Sequence, residues 1–150
     1  MDDKGEEKMG KAANSSISLK QIHVTDNFWN KYVHLVKDVI IPYQWDILND
    51  KLEDVETSHC IENFKIAAGE KEGEFQGAVF QDTDVAKWLE AVGFVLNYER
   101  DEKLEELADE TIELIGRAQQ PDGYLNTYFT IKEPDGRWSN LMEGLSLIHI

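Results

Sequence analysis

Between Asp84 and Tyr98 the chain offers almost no polar surface. After the first position only Lys87, Glu90 and Asn97 interrupt it, and at about 100° per residue these fall within roughly 80° of one another. A helix written this way must be covered by neighbours on nearly every side. The next segment, 101–118, has the opposite character: Leu104, Leu107, Ala108, Leu114, Ile115 and Ala118 form one stripe, and Glu102, Glu105, Glu106, Asp109, Glu110 and Glu113 cover the rest. Such a helix faces water. An inner apolar helix joined through Glu99 and Arg100 to an outer acidic one is a unit of a layered helical array, because a lone hairpin leaves its inner face bare.

The remaining segments fit that frame. Thr25 or Asp26 can cap a helix whose apolar stripe is Phe28, Trp29, Tyr32, Val33, Val36 and Ile40. It runs to about Ile41, where Pro42 predicts a kink or a restart towards Leu48 and puts Gln44 and Trp45 at a bend. A short helix over 58–68, ended by Gly69, turns Ile61, Phe64 and Ala68 inward. Residues 70–77 read as loop. Residues 17–24 alternate briefly and predict a short edge strand. Two Pro-Asp-Gly turns, at 121–123 and 134–136, bracket 124–132, whose aromatic and β-branched residues predict a small strand or extended loop presenting Tyr124, Tyr128 and Trp138. Residues 1–16 carry no aromatic or β-branched residue and read as a disordered leader.

Acids outnumber bases thirty to fifteen, for a net charge of -15. That balance gives no footprint for nucleic acid or an anionic membrane. The longest apolar run, 91–96, is far short of a transmembrane span, and the acidic N-terminus has no signal-peptide pattern, so the expected location is cytoplasmic. The one cysteine, Cys60, and four histidines lacking an i,i+4 pair predict no zinc site made by this chain alone.

Four places have residue types suited to chemistry, each with a plainer explanation. Gln44-Trp45 can stack on and hydrogen-bond a sugar, although core packing is the better expectation for Trp45. In Phe80-Gln81-Asp82-Thr83-Asp84 the carboxylates suit the cap of the inner helix, which leaves Gln81 unexplained. The Pro-Asp-Gly residues are what turns require. His59-Cys60 lacks the third partner that a triad or a metal site needs. No phosphate loop, Ser-His-Asp signature or assignable carboxylate pair is present.

The strings 41–45 (Ile-Pro-Tyr-Gln-Trp), 63–69 (Asn-Phe-Lys-Ile-Ala-Ala-Gly), 79–90 (Val-Phe-Gln-Asp-Thr-Asp-Val-Ala-Lys-Trp-Leu-Glu) and 118–125 (Ala-Gln-Gln-Pro-Asp-Gly-Tyr-Leu) resemble, in that order, the N-terminal part of glycoside hydrolase family 127, the bacterial β-L-arabinofuranosidases. The resemblance covers about 17–144. It implies a mainly all-α chain, part of an (α/α)6 barrel, and retaining hydrolysis of β-L-arabinofuranosides. It also implies a zinc-bound cysteine thiolate as nucleophile and a glutamate as acid/base in the full-length parent. Gln44, Phe80, Gln81 and Asp82 are then the substrate-binding residues, and no catalytic residue or metal ligand is carried over. Cys60 does not correspond to the metal-ligating cysteines.

After Met142-Glu143-Gly144 the likeness stops, and 145–150 (Leu-Ser-Leu-Ile-His-Ile) is what CTG TCT CTT ATA CAC ATC encodes, the end of a transposon sequencing adapter. We read that tail as non-native, on a truncated gene fragment. A longer genomic contig with the same ending contradicts this. Twelve helices and their loops need roughly 190 residues, against 134 after the leader. The fragment is therefore expected to be inactive and, with Trp88, Phe94 and Leu96 short of partners, poorly soluble. The competing readings are another α/α toroid, acting on unsaturated glucuronides, and a non-catalytic helical-repeat binding module.

Overall fold

The computed structural model describes residues 17–138. The leader expected over 1–16 and the tail expected over 145–150 lie outside the described residues. Among those described, six α-helices and three shorter helical turns account for the regular structure, with no strand. None of these helices is long and apolar enough to cross a membrane.

Helix α1 (Asn27–Leu35) starts where Asp26 Oδ1 accepts the Phe28 and Trp29 amides at 3.0 and 2.7 Å. It passes through a π turn, Val36–Ile40, directly into α2 (Ile41–Leu48). Proline supplies no amide hydrogen, and its ring crowds the carbonyl four residues back. The wider turn, in which the Ile41 amide reaches back to the Val36 carbonyl, lets the chain pass Pro42 without ending the helix. Helix α3 (Cys60–Ala67) stops in a Schellman motif: Glu70 N–H bonds to Lys65 O at 2.9 Å and Gly69 N–H to Ile66 O at 3.0 Å. Gly69 takes the left-handed φ of 73° that this ending demands.

The hairpin consists of α4 (Asp82–Tyr98) and α5 (Glu102–Ala118), the second capped by Asp101 through the Lys103 and Leu104 amides. Helix α4 is the hub, in contact with α2, α3 and α5. Val85, Trp88, Val92 and Val95 of α4 meet Ile41, Leu48, Cys60, Ile61 and Phe64 on one side and Ala108, Leu114 and Ala118 of α5 on the other. Trp88 closes the α2 seam: its ring stacks on Trp45 at 4.4 Å, and its Nε1–H donates to the Ile41 carbonyl at 3.1 Å. Trp45 is thus a packing residue, as burial preferences favour. On α5 the acidic residues Glu102, Glu106, Asp109, Glu110 and Glu113 face solvent, as the stripe predicts.

Three expectations need correction. Residues 17–24 form no strand; Leu19–Gln21 make one 3-10 turn. With Ile17 and Ile22 exposed and no neighbouring strand among the described residues, nothing there completes a ladder. Residues 124–132 are not extended either, because Asn126 caps a short helix α6 (Thr127–Ile131) by accepting the Phe129 amide at 3.0 Å. Finally, of the three α4 residues expected to lack cover, Trp88 is buried and Leu96 half-buried. Only Phe94, 57% exposed, is bare.

The larger apolar surface lies on α1, where Phe28, Trp29 and Tyr32 cluster at ring distances of 5.1 to 6.0 Å while remaining exposed. A patch of this kind drives association. The weight-average mass of the 150-residue chain from light scattering is therefore expected to rise with concentration, and a monodisperse monomer at every concentration contradicts this.

Candidate functional site

The first turn of α4, the end of the loop before α3 and the inner face of α2 surround an open cleft of about 870 Å³. Gln44 reaches it from α2, one helical turn past the π turn, and Phe80 and Gln81 reach it from the turn that leads into α4. Three of the four substrate-binding residues expected from the sequence, 36 and 37 positions apart along the chain, therefore share one cavity.

Gln81 is held at both its backbone and its side chain. Its carbonyl accepts the Cys60 thiol at 2.9 Å, and its Oε1 accepts the Ala78 amide at 3.1 Å. Gly77, at φ 95°, permits that approach: a Cβ at this position would stand 2.9 Å from Gln81 Oε1. With Oε1 occupied, Nε2 is the donor end of the amide, one hydrogen of which reaches Ser58 Oγ at 3.5 Å. Gln44 and Phe80 are exposed to the cleft. Two amides, a hydroxyl and a phenyl ring around one opening suit a polyol ring, whose hydroxyls exchange hydrogen bonds with amides and whose C–H face packs on an aromatic. Asp84 also lines the opening, engaged by Lys87 Nζ at 3.1 Å.

Asp82 does not line the cleft. Its carboxylate turns to α6, where Oδ2 accepts the Thr127 amide at 2.6 Å and Oδ1 the Thr127 hydroxyl at 2.5 Å. Neither Asp82 nor Asp84 caps α4, and Gln81, which stands at the N-cap position before it, makes no side-chain cap. Burial pushes the Asp82 carboxyl above its ordinary value, against the opposing pull of the two Thr127 bonds. The folded state thus holds this proton more tightly than the unfolded chain. The associated stability is fully present below the ordinary value of 3.8 and is lost as pH rises through the folded value. Asp82→Ala strands the amide and hydroxyl of Thr127, which is 1% exposed, at an expected cost of about 2–3 kcal/mol. Asp82→Asn keeps an acceptor and sheds the charge, so it should stay within about 1 kcal/mol of the unaltered chain and flatten the acid side of the stability profile. Urea unfolding between pH 3 and 7 checks both.

The described residues offer no donor set that fits the zinc implied by the family resemblance. No three His, Cys, Asp or Glu side chains converge among them. Cys60 is fully buried, and burial followed by the charge of Asp82 pushes its thiol far up, so it stays protonated. Cys60 packs in the core, whereas His59 is half-exposed and pairs with Asp50 and Thr57.

The sequence reading missed Asp50, Ser58, Asn63 and Gly77. Asn63, 1% exposed, clasps the loop before the cleft by a two-way pair with the backbone of Gln76, at 2.8 and 3.2 Å. A polar residue beside Phe64 on an inward helical face was the available signal, since a buried amide must find partners.

Residues 21–149 match the family described as beta-L-arabinofuranosidase, GH127 catalytic domain. The chain is similar to the non-reducing end beta-L-arabinofuranosidase of Bifidobacterium longum subsp. longum, 40% identical over 131 residues that span 79% of this chain and 20% of that protein. Among solved structures it is similar to a GH127 beta-L-arabinofuranosidase from Geobacillus stearothermophilus T6. That likeness has a TM-score of 0.78 and 64% identity, and covers 79% of this chain and 19% of that one. A second solved GH127 beta-arabinofuranosidase gives a TM-score of 0.66 and 31% identity over 76% of this chain and 17% of its own. The chain spans about a fifth of the length of the relatives it matches.

Proposed function

The chain belongs to glycoside hydrolase family 127, and from that premise we propose that it builds one wall of the sugar pit in a β-L-arabinofuranosidase. The observation that carries this reading is the convergence of Gln44, Phe80 and Gln81 on one cleft. Gln44 and Gln81 hydrogen-bond sugar hydroxyls, and Phe80 packs against the apolar face of the ring. Asp82 serves the pit at one remove, by fixing the start of α4 to α6.

In this reading the helices are an arc of an (α/α)6 barrel. The zinc-held cysteine and the acid/base glutamate belong to the remainder of the parent protein. Neither the glucuronide toroid nor the binding module gains support from any relative described above.

The test is release of an aryl leaving group from aryl β-L-arabinofuranoside by the full-length parent, with and without chelator. Release that chelator abolishes supports the assignment; no release under any metal condition sinks it. The 150-residue chain alone is expected to release nothing.

A further inference from the structure

The loop between α2 and α3 contains an arrangement that its packing does not call for. Asp50 and His59 both have left-handed backbones, with φ of 55° and 56°, a region unfavourable for residues that carry a Cβ. These two strained positions are tied together. The Asp50 carboxylate accepts the Ser58 amide at 2.5 Å and the His59 amide at 3.0 Å, and it lies 3.5 Å from His59 Nδ1. On the other side of the ring, Thr57 Oγ1 is 2.9 Å from His59 Nε2. His59 gives α3 no side-chain cap. Asp50, nine residues upstream, instead holds the His59 amide, just before α3 begins.

The consequence falls on the cleft. The clasp fixes Thr57 and Ser58 at its rim, and Ser58, 6% exposed, presents Oγ towards Gln81 Nε2 at 3.5 Å. Two residues further on, the Cys60 thiol holds the Gln81 backbone. Strain kept in place by surrounding bonds is characteristic of sites where geometry matters. We propose that Asp50 is a positioning residue for the amide of Gln81, acting through Ser58, whose hydroxyl keeps Nε2 aimed at the sugar. This inference rests on the reading of the cleft as the sugar pit.

A double-mutant cycle in the full-length parent, on aryl β-L-arabinofuranoside, tests it. Ser58→Ala and Asp50→Ala are each expected to lower kcat/KM by about tenfold, mainly through KM. In the Gln81→Ala background either change should add almost nothing, because the group they position is gone. Asp50→Asn, which keeps an acceptor for the Ser58 amide, should recover most of the loss. A purely structural role predicts the same fold-loss in both backgrounds, and that result overturns the proposal, as does an Asp50→Ala enzyme with lowered Tm and unchanged kcat/KM. Should Asp50→Ala not fold, Asp50→Glu, which displaces the acceptor from the Ser58 amide, takes its place in the same cycle with the same deciding outcomes. If Gln81→Ala itself leaves kcat/KM unchanged, the sugar-pit reading fails and this inference with it. A Gln81→Ala loss without coupling overturns the positioning role only.

Discussion

Trp88→Ala is expected to destabilise the chain by about 3–5 kcal/mol, the largest single-residue effect the structure supports. Three losses coincide at this side chain, which is 4% exposed at the middle of α4. The indole leaves a cavity between α4 and α2; Trp45 loses the ring stacked on it at 4.4 Å; and the Ile41 carbonyl loses its donor at 3.1 Å. That carbonyl lies where the π turn passes into α2, so the damage also reaches the helix that carries Gln44. A domain of ordinary stability, about 5–15 kcal/mol, has little to spare after such a loss. Trp88→Phe is the milder change, since it keeps a ring against Trp45 while removing the N–H and the five-membered part of the indole, at an expected cost of about 1–3 kcal/mol. Urea unfolding followed by tryptophan fluorescence, at the lowest practical concentration, reads both. A Trp88→Ala midpoint equal to that of the unaltered chain contradicts the packing described.

The second large effect is on function. In the full-length parent, Gln44→Ala and Gln81→Ala are each expected to lower kcat/KM on aryl β-L-arabinofuranoside by about 10- to 100-fold. Gln81 offers a fixed donor, since its Oε1 is taken by the Ala78 amide. Gln44 is exposed on the opposite wall, so removing it changes the surface met by substrate and little of the core. The loss of Gln44 should therefore leave Tm and the far-ultraviolet dichroism unchanged. The loss of Gln81 should lower Tm slightly, through the freed Ala78 amide. Unchanged kcat/KM in both variants removes these amides from the site.

Much of this architecture is legible in the sequence because it is set locally. The α4–α5 hairpin follows from apolar periodicity, and the Asp101 cap of α5 and the Gly69 ending of α3 follow from residue chemistry that acts over three or four positions. Helix α6 is not legible. Thr127, Tyr128, Phe129 and Ile131 favour strands by propensity, and five residues make a helix only because Asn126 caps them and Asp82, 45 positions earlier, grips the first one. The passage past Pro42 is half legible: proline announces a disturbance, but whether the helix bends, breaks or widens depends on what α4 packs against it. In the site, Gln44 and Gln81 are visible as residue types, and the family likeness marks their strings. Their meeting across one cleft is a tertiary fact. The Asp50–His59 clasp depends on two positive φ values that no local pattern of those residues announces.

The central claim is that Gln44, Phe80 and Gln81 bind the sugar in the cleft between α2 and α4. A crystal structure of the full-length parent with an unhydrolysed β-L-arabinofuranoside analogue measures this directly. The account predicts the furanose ring over Phe80, with its hydroxyls within about 3.2 Å of the Gln44 and Gln81 amides. A ring bound elsewhere, with both amides facing only water or protein, contradicts it.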